Sequence, residues 1–311
     1  MKTGGDSAAS SVWVCGEALI DILPTNNPVV GGGPANTAKA LARLGCDVQF
    51  IDGISRDVYG RSVRKELLRD GVGLELSHLS DKPTCTAAVT LSEGGSATYE
   101  FLIEGTATFD FDASWLPDPE QFRPSVLYIG TLATIIEPGA SQLFEWALRV
   151  GEFAPIVFDP NIRPSVLSDR KKYCLAIEKW VGISSVVKVS GDDLAWLYPD
   201  ESISEVANRW IAEGSAVVVV TRGAKGLIGF TENGVEEVEG IAVDVVDTVG
   251  AGDTVGAIVV EAIVKSSVAA IQGLALKEVL HRAAVAAAIT CSRAGAQPPR
   301  AFELQGALEA D

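Results

Sequence analysis

The chain has 311 residues, 47% apolar and 21% charged, which suits one large buried core with a small appendage and excludes a disordered chain. Its 25 Lys and Arg face 41 Asp and Glu, a net charge of −16 with no local basic run. A surface that acidic repels a phosphodiester backbone, so nucleic acid is excluded as a partner, and a phosphorylated ligand would have to be met by backbone N–H groups and a cation.

Residues 1–11 are small and polar, lack the apolar segment of a secretory signal, and are expected to form a disordered tail. Val12–Cys15 reads as the first buried strand, continued by Ala18–Leu23. Pro34 opens a helix to Leu44, with Ala35, Ala38, Leu41 and Ala42 as its buried stripe and Gly45 as its stop. A strand at Asp47–Ile51 and a helix at Arg61–Arg69 follow. From Thr84 to Glu104 apolar and polar residues alternate about a turn at Glu93–Ser96, the pattern of a half-exposed hairpin. This hairpin is expected to stand apart from the main sheet as a flap, with Ala18–Leu23 as a candidate neighbour.

The middle of the chain has a repeated rhythm. Short β-branched runs at Val126–Ile129, Ile156–Phe158, Val186–Val189 and Ala216–Val220 recur about every thirty residues. Amphipathic helices are expected between them at Ser141–Val150, Lys171–Val181 and Ile203–Glu213. Such alternation predicts βαβ crossovers and a parallel sheet covered on both faces. The tail reads as two helices, Asp253–Lys265 and Leu276–Ile289, and a loop. One core domain over 12–311 is expected, with a β lid built from about 18–30 and 84–105. No apolar run approaches the roughly 18–20 residues of a membrane span. The five scattered cysteines form no CxxC pair, which fits a reducing cytoplasm, and two histidines exclude a multi-histidine metal centre.

The segment from Val245 to Ala257, VVDTVGAGDTVGA, is expected to run from a β-branched strand through Gly250-Ala251-Gly252 into a helix at Asp253. Small residues there let consecutive N–H groups face an anion at a positive helix end. Asp253 is either the cap of that helix or a proton acceptor beside the anion, and the residues alone leave both readings open.

The string Asp247-Thr248-Val249-Gly250-Ala251-Gly252-Asp253 resembles the C-terminal signature of the PfkB (ribokinase-like) carbohydrate kinases, and Gly31-Gly32-Gly33-Pro34-Ala35-Asn36-Thr37-Ala38 resembles their N-terminal signature. The resemblance extends over nearly the whole chain beyond the tail. It implies a three-layer α/β/α sandwich with a mainly parallel central sheet and a small β lid. It also implies an ATP- and Mg²⁺-dependent sugar kinase. Asp253 would be the base and Gly250, Ala251 and Gly252 the anion hole. Asp21, Gly32, Gly33, Asn36, Phe101 and Arg163 would hold the sugar.

The string Asp159-Pro160-Asn161-Ile162-Arg163-Pro164 points to the fructokinase and 2-keto-3-deoxygluconate kinase branches. A flap without Arg or Lys favours the neutral sugar, so the expected reaction is D-fructose to fructose 6-phosphate. The ketodeoxygluconate reaction, or that of another PfkB sugar kinase, is the alternative, and a non-catalytic sugar sensor a remoter one. Lys188, Ser190, Thr221, Gly223, Gly226 and Gly252 would lie along the nucleotide. Asp193 would meet Mg²⁺ through water, and Asp247 would belong to a monovalent-cation site, with K⁺ as its ion. Ser190 as an ordinary helix cap competes with its nucleotide role. A homodimer through the lid is expected, because a lone hairpin is marginally stable. The sequence departs from the family pattern at Ser55-Arg56-Asp57, Val255 and Ile258, which are packing positions.

Overall fold

A computed structural model describes residues 11–23, 27–91 and 97–310. The tail expected over 1–11 and the flap turn at 93–96 therefore lie, almost wholly, outside the described residues, as do the side chains of 89–99, Tyr99 among them.

The described strands are β1 (Val12–Cys15), β2 (Leu19–Ile22), β3 (Pro28–Gly31), β4 (Val48–Ile51), β5 (Gly53–Ser55), β6 (His78–Ser80), β7 (Thr86–Leu91) and β8 (Ala97–Leu102). Then come β9 (Val126–Gly130), β10 (Ile156–Asp159), β11 (Val186–Ser190), β12 (Val217–Thr221), β13 (Leu227–Thr231) and β14 (Gly234–Val238). Eight of them form one sheet in the order β4-β1-β9-β10-β11-β12-β13-β14, parallel from β4 to β12 and antiparallel at the β13–β14 edge. A second sheet has the order β3-β2-β7-β8, and β5 pairs with β6.

Period-two burial makes the sandwich. In β1, Val12 and Val14 enter one core while Trp13 and Cys15 enter the other. Val217 and Val219 part from Val218 and Val220 in the same way on β12. The first core is covered by helices Gly33–Arg43, Val58–Arg69, Ala251–Lys265 and Leu274–Cys291. Helices Gly139–Gly151, Arg170–Val181 and Ile203–Ala212 cover the second. Because strands are buried on both faces, they read as unbroken apolar runs, which is why β9 to β12 were legible from residues alone. Among the described residues no helix is long and apolar enough to cross a membrane.

Three expectations need correction. Ala18–Leu23 does not continue β1. Gly16 takes φ +145 and the chain leaves the main sheet, so that β2 pairs with β3 and β7 instead. No strand precedes Gly250. Val245 and Val246 are exposed in an irregular segment, and the sheet edge is made by the β13–β14 hairpin, whose Asn233-Gly234 turn signal the sequence does contain. The tail also continues past its loop into a helix at Ala301–Ala310, which buries Leu304.

A side chain at position 16 would run into the Pro34 ring in a backbone region that L-residues avoid. Gly16→Ala is expected to cost about 2 kcal/mol or more of stability in urea unfolding, from positive-φ strain and overlap together; an unchanged midpoint would refute this account of the break.

Candidate active site

The crossovers reverse direction between β1 and β9, so the carboxyl ends of these two strands border the crevice where open α/β sheets receive ligands. Two helices start there. One follows the Gly31–Gly33 turn; the other begins at Ala251, behind Gly250 at φ 80. They are joined by Asn36 Nδ2, which donates to Asp253 Oδ2 at 2.9 Å, and by the Thr37 hydroxyl, which donates to the Asp253 carbonyl at 3.4 Å. A methyl group at Gly33 would lie 2.9 Å from Asn161 Nδ2, 3.1 Å from Thr131 Cγ2 and 3.3 Å from Asp253 Oδ1. Four parts of the chain thus converge on one point, and the missing side chain of Gly33 leaves the room between them.

The Ala251–Lys265 helix begins two residues earlier than the sequence suggests. Asp253 therefore sits in the first turn, and no side chain caps the helix. Its carboxylate turns inward and is 8% exposed. Burial pushes it up to about 6, against the pull of the Lys188 ammonium, the Asn36 amide and Arg163, with the Asp159 carboxylate adding to the rise. The Ala251 N–H turns back to Thr248 O at 3.3 Å. The remaining first-turn N–H groups, those of Gly252 and Asp253, lack an intrahelical acceptor by construction and present positive charge to the crevice.

Beneath this turn lies a buried polar group. Lys188 Nζ and the Tyr128 hydroxyl both donate to Asp159 Oδ2, each at 2.8 Å. Lys188, expected along the nucleotide, has its ammonium buried in this ion pair, 3.0 Å from where a Gly252 Cβ would lie.

On the other side of the crevice stand two further acids. Asp21 lies over Gly31, where any side chain would strike its carboxylate, and burial pushes it up to about 6. Gly32, at φ +107, lies against the Glu17 carbonyl. Glu17 itself is buried, accepts from the Ala133 N–H at 3.3 Å, and is pushed up to about 7 by that burial. Arg163 is the shared cation of this side and holds Asp21, Glu17 and Asp253 down. Its guanidinium folds back on its own loop, donating to Asn161 Oδ1 at 2.8 Å and to the Ile162 carbonyl at 3.0 Å. Asn161 and Thr131 take φ 41 and φ 60, a strained conformation for non-glycine residues at two strand ends of one crevice. Glu17, Thr131 and Asn161 were not singled out as site residues. Their position after the strands was the available signal.

Along β11 and β12 the expected nucleotide residues divide. Ser190 caps helix Gly191–Leu197, and Asp193 completes a capping box with it. Asp193 Oδ1 accepts from the Ile162 N–H at 3.1 Å and Oδ2 from the Ser190 N–H at 3.3 Å, so its carboxylate ties the Asn161–Arg163 loop to the next strand. Thr221 ends β12 beside Ser190, and Gly223 is exposed with open space around it. Gly226 is buried at φ +87 against the Val238 carbonyl, a requirement of the turn itself. Asp247 accepts from the Val249 and Gly295 N–H groups at 3.1 and 2.9 Å, joining the two loops at the end of the crevice. Phe101, half-buried on β8 opposite Ala87, leans on the second apolar core.

The profile of the pfkB family carbohydrate kinases matches residues 18–301. A fructokinase of Rhizobium leguminosarum bv. trifolii is 35% identical over 252 residues, covering 78% of this chain and 76% of its own length. The structure of the Vibrio cholerae O395 fructokinase with fructose, ADP and calcium ion bound superimposes with a TM-score of 0.86 at 28% identity, over 96% of this chain and 99% of that one. The ATP-bound fructokinase of Xylella fastidiosa, at 23% identity, shares the fold with a TM-score of 0.89 over 97% of this chain and 99% of its own.

Proposed function

The chain belongs to the pfkB family of carbohydrate kinases, and we propose that it transfers the γ-phosphoryl group of ATP to D-fructose, giving fructose 6-phosphate. The observation that carries this reading is the burial of Asp253 in the first turn of an anion-facing helix, hydrogen-bonded at 2.9 Å to the amide that follows the other glycine turn. Similarity to fructokinases at the level of sequence and fold supports the choice of sugar.

In this mechanism Asp253 takes the proton of the sugar hydroxyl, which turns that oxygen into the nucleophile. The N–H groups of Gly252 and Asp253, which the helix leaves without an acceptor, receive the charge spread over the transferred phosphoryl oxygens, while the Ala251 N–H is held by Thr248. Asp21 and Asn36 accept and donate to the sugar's hydroxyls, with Arg163 beside them. The β3-β2-β7-β8 sheet closes over the sugar and excludes water that would otherwise compete as acceptor.

Divalent-cation use fits the donor set only in one form. Among the described residues no group of three or more His, Cys, Asp and Glu is placed to hold a metal. Both Asp193 oxygens already accept backbone N–H groups. Mg²⁺ would therefore ride on the nucleotide's phosphates and water, with Asp193 as an outer contact, and supply charge neutralisation between the phosphates. Asp247, which bridges two loops, is the candidate for a K⁺ site. The ketodeoxygluconate alternative gains no support, because Thr84–Ala107 carries no Arg or Lys and Arg163 is engaged by its own loop. A cytoplasmic location accords with five free cysteines.

An ADP-release assay over fructose, ketodeoxygluconate, ribose, glucose and adenosine is expected to give the highest kcat/KM with fructose; preference for any of the others overturns the choice of sugar. Asp253→Asn should lower kcat about 10²–10⁴-fold with fructose binding retained. Near-normal turnover in that variant would remove the base. Since a raised carboxylate is protonated below its own value, kcat/KM should fall as pH drops through about 6.

The lid sheet also exposes Leu23, Val29 and Leu102, the last 64% accessible, and we propose that it pairs with its copy in a homodimer. Light scattering after size exclusion should return a dimer, and Leu102→Glu a monomer. A monomeric parent chain at micromolar concentration would refute the pairing.

A further inference from the structure

We propose that the buried Lys188–Asp159–Tyr128 group is a positioning device for Asp253, a fixed ammonium behind the phosphate-facing turn that keeps the base ionised; this rests on the reading of Asp253 as the base. The three residues come from adjacent strands β11, β10 and β9, and their side chains meet on one sheet face under the Ala251–Lys265 helix. They touch that helix at two glycines one turn apart. Lys188 Nζ lies 3.0 Å from the place of a Gly252 Cβ, and the Tyr128 ring 3.0 Å from that of Gly256. Only glycines bring a charged side chain and a phenol so close to the backbone on either side of Asp253.

Packing alone does not account for this group. A buried ion pair is no more stabilising than an apolar trio of the same volume. Asp159 is fully buried, and its Oδ1 has no hydrogen-bond partner among the described residues. Its electrostatic effect has a definite sign. Asp253 is faced by Asn36 from the Gly33–Arg43 helix, by Arg163 from the loop after β10, by Lys188 from β11, by Asp159 from β10 and by Tyr128 from β9. Burial favours the neutral acid; Lys188 and Arg163 favour the carboxylate; Asp159 opposes them. Lys188 is thus the counter-charge that leaves a base available near neutral pH.

The test is the acid limb of kcat/KM for fructose at saturating MgATP, followed from about pH 5 to about pH 9. Lys188→Met should move that limb up by about one pH unit or more, about tenfold extra loss at low pH that is regained at high pH. Asp159→Asn should move it down, since the opposing charge goes and the ammonium stays. The double variant should fall near the parent. Shifts of opposite sign are not produced by general damage to the fold. If Lys188→Met does not fold by circular dichroism, the Asp159→Asn limb decides alone. An unmoved limb in Asp159→Asn, or a shift of both single variants in the same direction, overturns the proposal. Near-normal turnover of Asp253→Asn would instead overturn the base reading on which it stands.

Discussion

The proposed reaction turns on one requirement, that a carboxylate be taken out of water and still carry its charge. Asp253 is 8% exposed, and burial by itself would leave it neutral. It remains usable because the chain surrounds it with positive ends. Its own helix presents first-turn N–H groups, the Asn36 amide reaches it from a segment 217 residues away, and Lys188 and Arg163 flank it. Each neighbour dictates part of the architecture. Two helices must start at the same crevice, which fixes where the sheet reverses. The turns that start them must be free of side chains, which fixes the glycines at 33, 250 and 252. The lysine must arrive from a strand two places from β9, which fixes the order of the parallel sheet.

This explains which parts were legible in the residues. The strands β9 to β12 are buried on both faces and announce themselves as β-branched runs; the two glycine strings are local in sequence, so they too could be read directly. Asp253 stood out because a carboxylate next to an anion site needs a reason. The Lys188–Asp159–Tyr128 group gave no such signal. Its members are spaced along three strands, and only the register Val187 against Phe158 and Val157 against Tyr128 brings them to one face. Register is a property of pairs of strands and leaves no mark in either one. The strained backbones of Thr131 and Asn161 were hidden for a similar reason, since neither residue type demands positive φ and surrounding contacts impose it. Asp193 completes a capping box with the same short acidic side chain that an outer metal contact would use, so the residue type alone does not separate the two roles. The β13–β14 hairpin was missed despite its Asn233-Gly234 turn, while the Val245–Val246 run was taken for a strand it does not form. Apolar character without a neighbouring strand to pair with is insufficient.

The distribution of charge also says why this crevice suits a neutral polyol and a polyphosphate together. On the side proposed for the sugar stand Asp21 and Glu17, both pushed upward by burial, with Arg163 turned onto its own loop. An anionic sugar placed there would face two carboxyls, with Arg163 already engaged by its own loop; hydroxyls, which donate, are the natural occupants. On the opposite side the charge reverses within one helical turn, from the Asp253 carboxylate to the N–H groups and the buried ammonium beneath Gly252. A chain with a net charge of −16 cannot draw in a nucleotide by its overall field. That leaves local dipoles such as the helix N-terminus, which act at a range shorter than about 8–10 Å in salt. In the proposed reaction the same boundary sets the order, with the hydroxyl on one side of the Asp253 carboxylate and the phosphoryl group on the other.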